Sequence, residues 1–533
     1  MSGIITDGII HQERGNNMSL SGSVIAIMIT ILVYMSVMVI IGAIFSKKNV
    51  NVGDFYLGGR KLGPIVSAMS AEASDMSSYL LMGLPGLAYL CGTAEVGWTA
   101  LGLAAGTYLN WLIVAKRLRV YSQKIGAITI PDFFSNRFRD DRHVLMALSS
   151  VIILIFFVPY TASGFSACGK LFNQLFGWEY HFAMVVSAVV IIAYTSLGGF
   201  MAASFTDLIQ SIVMTTSLLI LLLYGISTAG GIGAVIDNAK SIPDYLAMTS
   251  TTTNSISGGE HTDFGFLPIV STLAWGLGYF GMPHILLRFM AIEDKNKIKI
   301  SRRIASIWVV FAMGIAVLIG LIGNTLTHGG VVKALATSSE SETVVLEMAT
   351  VLAQHSIPAA LVAGLIFAGI LACTMSTSDS QLLVASSSMS ENLIKSVFGI
   401  KLSDKLSMAA ARLVLLIIAL LGIVLAWDQS SSVFRVVSFA WAGFGATFGP
   451  LMLVSLFWKR ANKYGACAGI IVGGAVIFIW KFVISKLGGV FAIYELLPAF
   501  ILALIAIIVV SLVTPAPEKA ITDEFDAVSA EVK

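Results

Sequence analysis

The chain has 533 residues, of which 57% are hydrophobic and 12% are charged, which is about half the charged fraction of an average soluble protein. Its formal charge of +3 is too small to indicate a nucleic-acid-binding protein. Four cysteines, Cys91, Cys168, Cys373 and Cys467, form no CxxC pair, so a disulfide framework and thiolate metal chemistry are disfavoured. The composition therefore predicts an all-α integral membrane protein without an appended soluble domain.

About thirteen segments are long and apolar enough to cross a bilayer as helices. In chain order they cover residues 21–46, 66–91, 96–117, 143–171, 182–199, 204–230, 265–290, 304–328, 358–390, 407–427, 433–457, 463–484 and 489–514. The first is too long for a cleavable signal peptide and follows no strongly basic stretch, so we expect it to remain as an extra first helix.

Basic residues are concentrated in alternate loops, and this pattern predicts an orientation. If the N-terminus is outside, the cytoplasmic loops and tail hold 25 of the 33 Lys and Arg residues, as the positive-inside rule requires. We therefore expect a multi-pass protein of the cell membrane with residues 1–20 outside and a solvated cytoplasmic tail over 515–533. The Ser-, Thr- and Gly-rich segments 231–264 and 329–357 are expected to be extracellular loops.

The second span carries a polar stretch that predicts an interrupted helix. Residues 67–78 place several hydroxyl groups and the carboxyl groups of Glu72 and Asp75 in this span, and Pro85 follows with a glycine on either side. An acidic residue inside a span costs about 2.5–3.5 kcal/mol on insertion scales. Asp75 is therefore expected to act in transport, or alternatively to cap the broken helix, and the role of Glu72 stays open.

A second interrupted helix is expected at residues 275–283, where three glycines and a proline fall within nine residues. Two Gly/Pro-interrupted spans, one opening each half of a chain, are typical of transporters with inverted repeats and a midplane site. The pattern predicts one repeat over 66–230 and another over 265–457. The extra helix at 21–46 precedes them, and two further helices follow within 463–514.

A third polar run, residues 373–380, indicates a cation site. Ser376, Asp379 and Ser380 are three and four residues apart and share a helix face, and Thr377 flanks that face. Hydroxyl, carboxylate and carbonyl oxygens suit a small hard cation. The alternative is that the Ser376 and Thr377 hydroxyls merely bond back to the preceding turn of their own helix.

Six motifs in order resemble those of the sodium/solute symporter family. They are LGGR at 57–60, SDMS at 74–77, LMGLPG at 81–86, GLGYFG at 276–281, MST at 375–377 and WAGFG at 441–445. The resemblance runs from about residue 25 to 510 and within the family is greatest to the bacterial sodium/proline symporters. It implies thirteen helices, one of them preceding a leucine-transporter-type core of two inverted five-helix repeats.

The resemblance also implies three sets of site residues. Sodium would be bound by the carbonyl oxygens of Ala73, Met76 and Cys373 and the hydroxyl groups of Ser376 and Thr377. The substrate would be bound by Ser77, Gly83, Tyr160, Trp275, Tyr279 and Pro283. Residues expected to act in coupling or near the site are Asp75, Arg60, Asp207, Asp379 and Ser380.

Several of these roles have structural alternatives. Asp207 and Asp379 form either a second cation site with Ser376 and Ser380 or a hydrogen-bonded structural pair, and the aromatic substrate residues could be plain packing. Arg60 could be a positive-inside anchor. The chain also departs from the usual family residues near the cavity, and these positions are Glu72, Ser78, Tyr79, Met282 and Cys373.

The expected function is sodium-coupled import of a small amino acid, first of all L-proline, by alternating access. The alternative is a sodium symporter for another small organic solute, such as a different amino acid or a carboxylate. A channel is disfavoured by the paired broken helices, and an enzyme by the seven scattered histidines. Co-transported sodium is expected without an organic cofactor, and the expected partners are the small-molecule substrate and membrane lipid, with no nucleic acid and no obligate protein partner.

Overall fold

The computed structural model describes residues 22–46, 51–400 and 403–532, so the expected extracellular segment 1–20 lies outside the described residues. The α-helices are α1 (Gly22–Ser46), α2 (Val52–Leu57), α3 (Pro64–Met76), α4 (Leu84–Cys91), α5 (Ala94–Leu109), α6 (Ala115–Lys124), α7 (Ile130–Phe138), α8 (Val144–Phe176), α9 (Tyr180–Thr228), α10 (Ile232–Ser241), α11 (Phe266–Leu273), α12 (Pro283–Ala291), α13 (Ile298–His328), α14 (Ser338–Ser341), α15 (Val344–Ala353), α16 (Ile357–Ser387), α17 (Asp404–Leu425), α18 (Val433–Phe457), α19 (Lys463–Phe482), α20 (Leu496–Val513) and α21 (Lys519–Val532).

Tighter and wider helical turns connect several of these helices. The 3₁₀ segments are Gly58–Arg60, Ala274–Phe280, Lys295–Lys297, Ile484–Leu487 and Gly489–Phe491, and the π segments are Tyr79–Gly83, Asn110–Val114 and Ser388–Val397. Two short strands, β1 (Ser250–Thr252) and β2 (His261–Asp263), pair in antiparallel register with Thr251 opposite Thr262.

The described part of the chain offers thirteen helical segments for crossing a bilayer, in agreement with the number that the sequence predicts. Nine helices are long and apolar enough to cross a bilayer as they stand. Five shorter apolar helices accompany them. Tyr79–Cys91 and Phe266–Phe280 belong to the two broken spans, Tyr180–Ala193 is the first part of a kinked helix, and Ala409–Leu425 lies within α17. The ten-residue Val344–Ala353 is too short to cross a bilayer and is not counted. The long helix α9 supplies two crossings because its backbone is non-helical at Gly199.

Both expected interruptions occur. α3 ends at Met76, and Ser77 follows with φ +47° before the chain resumes as a π segment and α4. A serine in this region of the Ramachandran map is uncommon and has to be held by its surroundings. The second interruption separates α11 from α12, where a 3₁₀ segment intervenes and Pro283 takes the first helical position of α12.

The helices pack in two groups that meet at the interruptions. The broken spans pack with α5, α6 and α13, whereas α8, α9, α16 and α17 pack with one another and α1 packs on α9 and α16. The groups meet at α3, which contacts α9 and α16, and at α13, which contacts α9. Close contact between α5 and the second interruption depends on glycine, because a Cβ on Gly276 would lie 2.2 Å from the Gly102 carbonyl oxygen. The site discussed below lies between the two groups.

The ends of the spans form two faces. We call one the basic face; it carries α2, α6, α7, α21 and the links after α12 and α18, and we call the other the opposite face. On the opposite face, the segments 231–264 and 329–357 contain α10, the β1–β2 hairpin, α14 and α15. These segments are more structured than the loops expected there.

The C-terminal segment differs from the solvated tail that the sequence predicts. α21 is amphipathic, and its apolar side buries Ile521, Phe525 and Val528, which follow the i, i+4, i+7 spacing of one helix face. This side lies against α6. The expectation of full solvation is therefore wrong, because the segment also carries three apolar residues at helical spacing, and these are buried.

Candidate functional site

The end of α3 and the middle of α16 form a cluster of carbonyl and hydroxyl oxygens. Ser376 donates a hydrogen bond of 2.8 Å to the Ala73 carbonyl and one of 3.2 Å to the Cys373 carbonyl, which also accepts from Thr377 at 3.1 Å. Because α3 stops at Met76, its last carbonyl groups have no partner within the helix. The structure thus brings four of the five expected sodium ligands, Ala73, Cys373, Ser376 and Thr377, into one hydrogen-bonded cluster, and Met76 is the residue at which α3 ends.

Both interpretations of the Ser376 and Thr377 hydroxyls have a counterpart in this geometry. The bonds to Cys373 are local back-bonds, whereas the bond from Ser376 to Ala73 crosses from α16 to α3. All oxygens in the cluster are uncharged, and the C-terminal end of a helix carries partial negative charge. Such a cluster can hold a small hard cation.

A narrow cavity lies beside this cluster. Its walls are formed by Asp75, Met76, Tyr79, Leu103, Tyr160, Trp275, Met313, Val437 and Trp441. The free space is about that of one water molecule, so the site is closed in this conformation. Two expected substrate residues, Tyr160 and Trp275, lie on the wall itself.

Asp75 connects the cavity to the second interruption. The Tyr279 hydroxyl donates to Asp75 Oδ2 at 2.5 Å, while Oδ1 has no hydrogen-bond partner among the described residues. Asp75 is 6% exposed, and within the described chain its carboxylate accepts no bond from a backbone N–H. The capping alternative therefore has no support in this geometry.

The remaining expected substrate residues shape the site less directly. Ser77 accepts a hydrogen bond from the Tyr79 backbone N–H at 3.2 Å. Gly83 allows close approach, because a Cβ there would lie 3.2 Å from Cδ2 of Tyr79 and 3.7 Å from Cβ of Phe434. Pro283 is buried at the start of α12 and is not part of the cavity wall.

An aromatic layer covers the cavity toward the opposite face. We use this name for Tyr79, Trp275, Phe434 and Tyr494. Trp275 stacks on Tyr494 at 5.1 Å between ring centroids and on Tyr79 at 5.8 Å, and it lies 5.7 Å from Phe434. Trp441 donates from Nε1 to the Trp275 carbonyl at 2.8 Å, so both the rings and the backbone are held.

A buried ion pair positions this layer. Lys170 Nζ lies 3.1 Å from Glu342 Oε2, and the two side chains are 6% and 3% exposed. Glu342 also accepts from the Ser432 hydroxyl and from the backbone N–H groups of Val433 and Phe434, which caps the first turn of α18. Sequence reasoning missed this pair, because a loop acid 172 residues from its partner gives no local signal.

A second buried ion pair lies toward the basic face. Arg288 donates to Asp207 at 3.2 Å and to Ser380 at 2.5 Å, and Ser70 donates to Asp207 at 2.6 Å. Ser380 donates in turn to Asp379 at 3.1 Å. Asp207 and Asp379 are thus linked through the guanidinium group, which occupies part of the region expected to hold a second cation.

Arg288 itself corrects one detail of the sequence interpretation. From the sequence, Arg288 is one of the 25 basic residues assigned to the cytoplasmic loops and tail, but its side chain is 1% exposed and also lies over the ring of Phe200 at 5.1 Å. The signal that could have identified it is its position inside an apolar span, where a cation needs a buried acid.

Arg60 lies at the basic face, away from the cavity. Its guanidinium donates to the carbonyl oxygens of Met290 and Ala127, each at 2.6 Å, and also to Ser122. Burial, with the nearby Arg119, lowers the pKa of Arg60 to about 10, so the group stays charged at neutral pH. Arg60 therefore ties the chain before α3 to the ends of α6 and α12.

The unusual Glu72 faces α5 and the π segment that follows it. Trp111 donates from Nε1 to Glu72 Oε1 at 3.0 Å, and Thr107 donates to Oε2 at 3.4 Å. Glu72 is 1% exposed and is not part of the cavity wall. Its carboxyl group joins the first broken helix to its neighbour.

Comparison with known proteins gives consistent matches over most of the chain. The profile of SSF, the sodium:solute symporter family, matches residues 55–473. The high-affinity proline transporter PutP of Bacillus subtilis (strain 168) is 41% identical over 491 residues, 92% of this chain and 98% of that protein. The sodium/proline symporter of Escherichia coli (strain K12) is 39% identical over 501 residues, 93% of this chain and 95% of that protein, and that of Haemophilus influenzae (strain ATCC 51907 / DSM 11121 / KW20 / Rd) is 41% identical over 505 residues, 94% and 97% of the two chains.

Two solved structures share the fold. A substrate-bound, outward-open Na⁺-coupled sialic acid symporter superposes with a TM-score of 0.76 at 19% identity, covering 93% of this chain and 99% of that one. Mhp1, a nucleobase-cation-symport-1 family transporter, in a closed conformation gives 0.51 at 15% identity, covering 89% and 98%. The fold is therefore a leucine-transporter-type core of two inverted five-helix repeats, as expected.

Proposed function

The chain belongs to the sodium:solute symporter family, and on that premise we propose that it is a sodium-coupled symporter that imports L-proline. The relatives named as proline transporters or sodium/proline symporters are 39–41% identical over more than nine-tenths of this chain. The observation that carries the proposal is the hydrogen bond from Ser376 to the Ala73 carbonyl. It joins the broken helix to α16 directly beside the cavity that contains Asp75.

Sodium is cargo in this cycle, and the oxygen cluster at the end of α3 binds it. The proposed ligands are the carbonyl oxygens of Ala73, Met76 and Cys373 and the hydroxyl oxygens of Ser376 and Thr377. When the ion enters, the two hydroxyl groups turn their oxygens toward it and release the carbonyls that they now bond. The ion then holds α3 and α16 together more firmly than the hydroxyl bonds do alone.

The cavity wall suits a small zwitterion. The unpartnered Oδ1 of Asp75 can accept a hydrogen bond from the secondary ammonium of proline, while Tyr279 keeps the other oxygen in place. The rings of Tyr160 and Trp275 offer flat apolar surfaces for the pyrrolidine ring. Because the cavity is narrow here, proline enters only after the aromatic layer has opened.

Three residues shape the substrate site through the backbone. Ser77 keeps the strained turn that ends α3, and Gly83 admits the close approach of Tyr79 and Phe434. Pro283 starts α12 without needing a donor in its first turn. Substitution of any of these residues is expected to change the shape of the cavity, and not the charge of the groups that contact the substrate.

The orientation follows from the charges. We place the basic face in the cytoplasm, the N-terminal residues 1–20 outside and α21 inside, since Lys and Arg are concentrated at that face. The first repeat covers residues 66–230 and the second 265–457, with the additional helix at 21–46 before them and two helices within 463–514 after them. The opposite face then receives substrate.

Transport follows from rocking one group of helices against the other about the fixed site. One charge crossing 100 mV supplies about 2.3 kcal/mol, before the sodium gradient is added. Sodium favours the state that accepts proline because it completes the contact between α3 and α16. Asp207, Asp379, Ser380 and Arg60 act in coupling by holding the basic side of the site closed until both ligands are bound.

The test compares sodium activation of proline uptake in proteoliposomes. The variant Ser376→Ala/Thr377→Ala should raise the sodium concentration for half-maximal uptake by at least about tenfold, which corresponds to about 1.4 kcal/mol. Ser387→Ala is the matched control, because the Ser387 hydroxyl donates to the Val384 carbonyl of its own helix, as an ordinary local back-bond. Wild-type sodium dependence in the double variant would refute the ligand assignment.

A second candidate is sodium-coupled import of another small amino acid or a carboxylate. It is favoured by two departures from the usual family residues near the cavity. Tyr79 stands in the aromatic layer where proline symporters commonly have Trp, and Met282 is the second departure. Competition of labelled proline uptake by a panel of amino acids and carboxylates, with and without sodium, distinguishes the two. Sodium-dependent uptake of a competitor without sodium-dependent uptake of proline would favour the second candidate.

A further inference from the structure

A long apolar groove lies on the side of the molecule, away from the substrate cavity. It has a volume of about 550 Å³ and runs between α1 and the helices α8, α9 and α16. Within the described residues that form it, none is charged. One of its two serines, Ser187, donates its hydroxyl to the Ala183 carbonyl of its own helix at 2.8 Å. The walls therefore offer almost no polar contact to a ligand.

The groove opens sideways, toward the part of the surface that faces the bilayer. Leu32 and Ile40 on its α1 wall are 59% and 56% exposed, and they continue the apolar outer surface of that helix. Along α1 the groove extends from Met28 to Ile40, which at 1.5 Å per residue is about 18 Å. One leaflet of a bilayer with a hydrocarbon core of about 30 Å is about 15 Å thick.

The ends of the groove have different characters. Trp178 lies at the end near the opposite face, with its ring 5.4 Å from Phe176 and 6.0 Å from Phe172. Tryptophan is enriched at the membrane–water interface, and this end of the groove is therefore expected to lie there. The deep end is formed by Leu371 and Met375 of α16. Met375 directly precedes Ser376, and its sulfur accepts a contact from the Tyr34 hydroxyl at 3.9 Å.

These features determine what fills the groove. Water is excluded, because apolar cavities stay dry, and an empty groove would lose dispersion contacts along every wall. We propose that the groove is a binding site for one acyl chain of a membrane phospholipid, whose headgroup lies near Trp178. The chain contacts the back of α16 and supports the helix that carries Ser376 and Thr377, a consequence that rests on the proposed function.

The first test measures lipid binding without transport. The full-length protein is reconstituted in phosphatidylcholine with brominated acyl chains, and fluorescence quenching in wild type is compared with quenching in Trp178→Phe to isolate the signal of Trp178. The double variant Val186→Phe/Val190→Phe fills the groove and should lower quenching of Trp178 at least about twofold. Leu416→Phe, on the lipid-facing side of α17, is the matched control and should leave it unchanged.

The second test measures retained lipid. Native mass spectrometry of protein purified in detergent should find one bound phospholipid in wild type and in Leu416→Phe, and none in the filled variant. Ser187→Leu makes a smaller addition to the same wall and should lower retention if the double variant does not fold. Equal quenching and equal retention in filled and control variants would overturn the proposal, whereas sodium-dependent uptake reports separately on the proposed function.

Discussion

The cavity is closed by different chemistry on its two sides. Toward the opposite face, two rings of the aromatic layer, those of Tyr79 and Trp275, lie directly on the cavity, and one ion pair, Lys170 with Glu342, positions the layer. Toward the basic face, closure depends on charges remote from the cavity: Arg288 with Asp207, the bonds of Arg60, and the contacts of α21. A substrate can therefore disturb the first closure by contact, whereas the second responds to the ion and to the arrangement of helices.

α21 contributes to the basic-face closure by joining α6 to the end of α18. Arg117, in the first turn of α6, lies between the ring of Phe457 of α18, at 5.1 Å, and that of Phe525, at 4.8 Å. Lys116 donates to the Val532 carbonyl at 2.7 Å, and Lys459, after α18, pairs with Asp526. The helix thus spans the gap between α6 and α18, and we expect these contacts to break when the basic side opens.

The largest effect is expected from breaking the buried ion pair at the basic side. Arg288→Met leaves Asp207 without its cation, and loss of one partner of a buried pair costs about 3–5 kcal/mol. We expect a lower unfolding temperature and loss of proline uptake. The double variant Arg288→Met/Asp207→Asn should recover part of the lost stability, and a double variant no more stable than the single one would contradict this role for the pair.

The next effect concerns the aromatic layer. Glu342→Gln weakens the pair with Lys170 and the cap of α18, and charged hydrogen bonds contribute about 1.5–3 kcal/mol, so the layer should open more often. A cysteine at Val437, on the cavity wall, should then react about tenfold faster with a polar thiol reagent added at the opposite face. The neighbouring Glu340→Gln, which lies outside this pair, is the control. No change in the Glu342→Gln rate would show that the pair does not hold the layer closed.

A smaller effect is expected from removing α21. A chain ending at Glu518 loses the apolar contacts of Ile521, Phe525 and Val528, whereas its exposed ion pairs contribute about 0–1 kcal/mol each. Spin labels at Lys124 and Tyr464, with the native cysteines replaced, should show a longer distance population after truncation. Asp523→Ala, an exposed acid on α21, should leave the distances unchanged, and unchanged distances in the truncated chain would contradict the spanning role.

The smallest effect lies in the β1–β2 hairpin at the opposite face. His261 Nδ1 lies 2.5 Å from Asp244, and hydrogen bonding to this carboxylate raises the pKa of His261 while His261 lowers that of Asp244. Because the pKa of His261 is raised, the protonated side chain stabilises the folded hairpin at pH values below that pKa. This contribution is lost as the pH rises through the pKa. Hydrogen exchange in the hairpin should therefore be slower at mildly acidic than at alkaline pH, after correction for intrinsic exchange. His261→Gln should abolish that difference, and its persistence would contradict the assignment.

Sequence reasoning reached the fold and the interrupted helices because their signals are local. Glycine, proline and hydroxyl residues around Asp75 and in 275–283 are sufficient to predict interrupted helices in apolar spans. The family motifs then place Ser376 near Ala73, although the two are 303 residues apart. The sequence alone therefore predicts where the backbone is irregular, and the resemblance to the family predicts which residues lie together at the site.

The features that the sequence does not predict are mostly contacts between residues far apart along the chain. From the sequence, Arg288 looks like one of the basic residues that orient the protein in the membrane. Its partner Asp207 lies 81 residues away, so no local pattern indicates the contact. Glu342 was hidden in a polar loop for the same reason. α21 could have been recognised from the spacing of Ile521, Phe525 and Val528, but its acidic residues suggested a solvated tail.

The central claim is that a sodium gradient drives proline into the cell through this chain. The most direct measurement is accumulation of labelled proline in proteoliposomes that contain the purified protein, with an inward sodium gradient as the only driving force. We predict that internal proline rises above the external concentration and falls back when the sodium gradient is dissipated. Proline that only equilibrates across the membrane, or that does so equally well without sodium, would contradict the account.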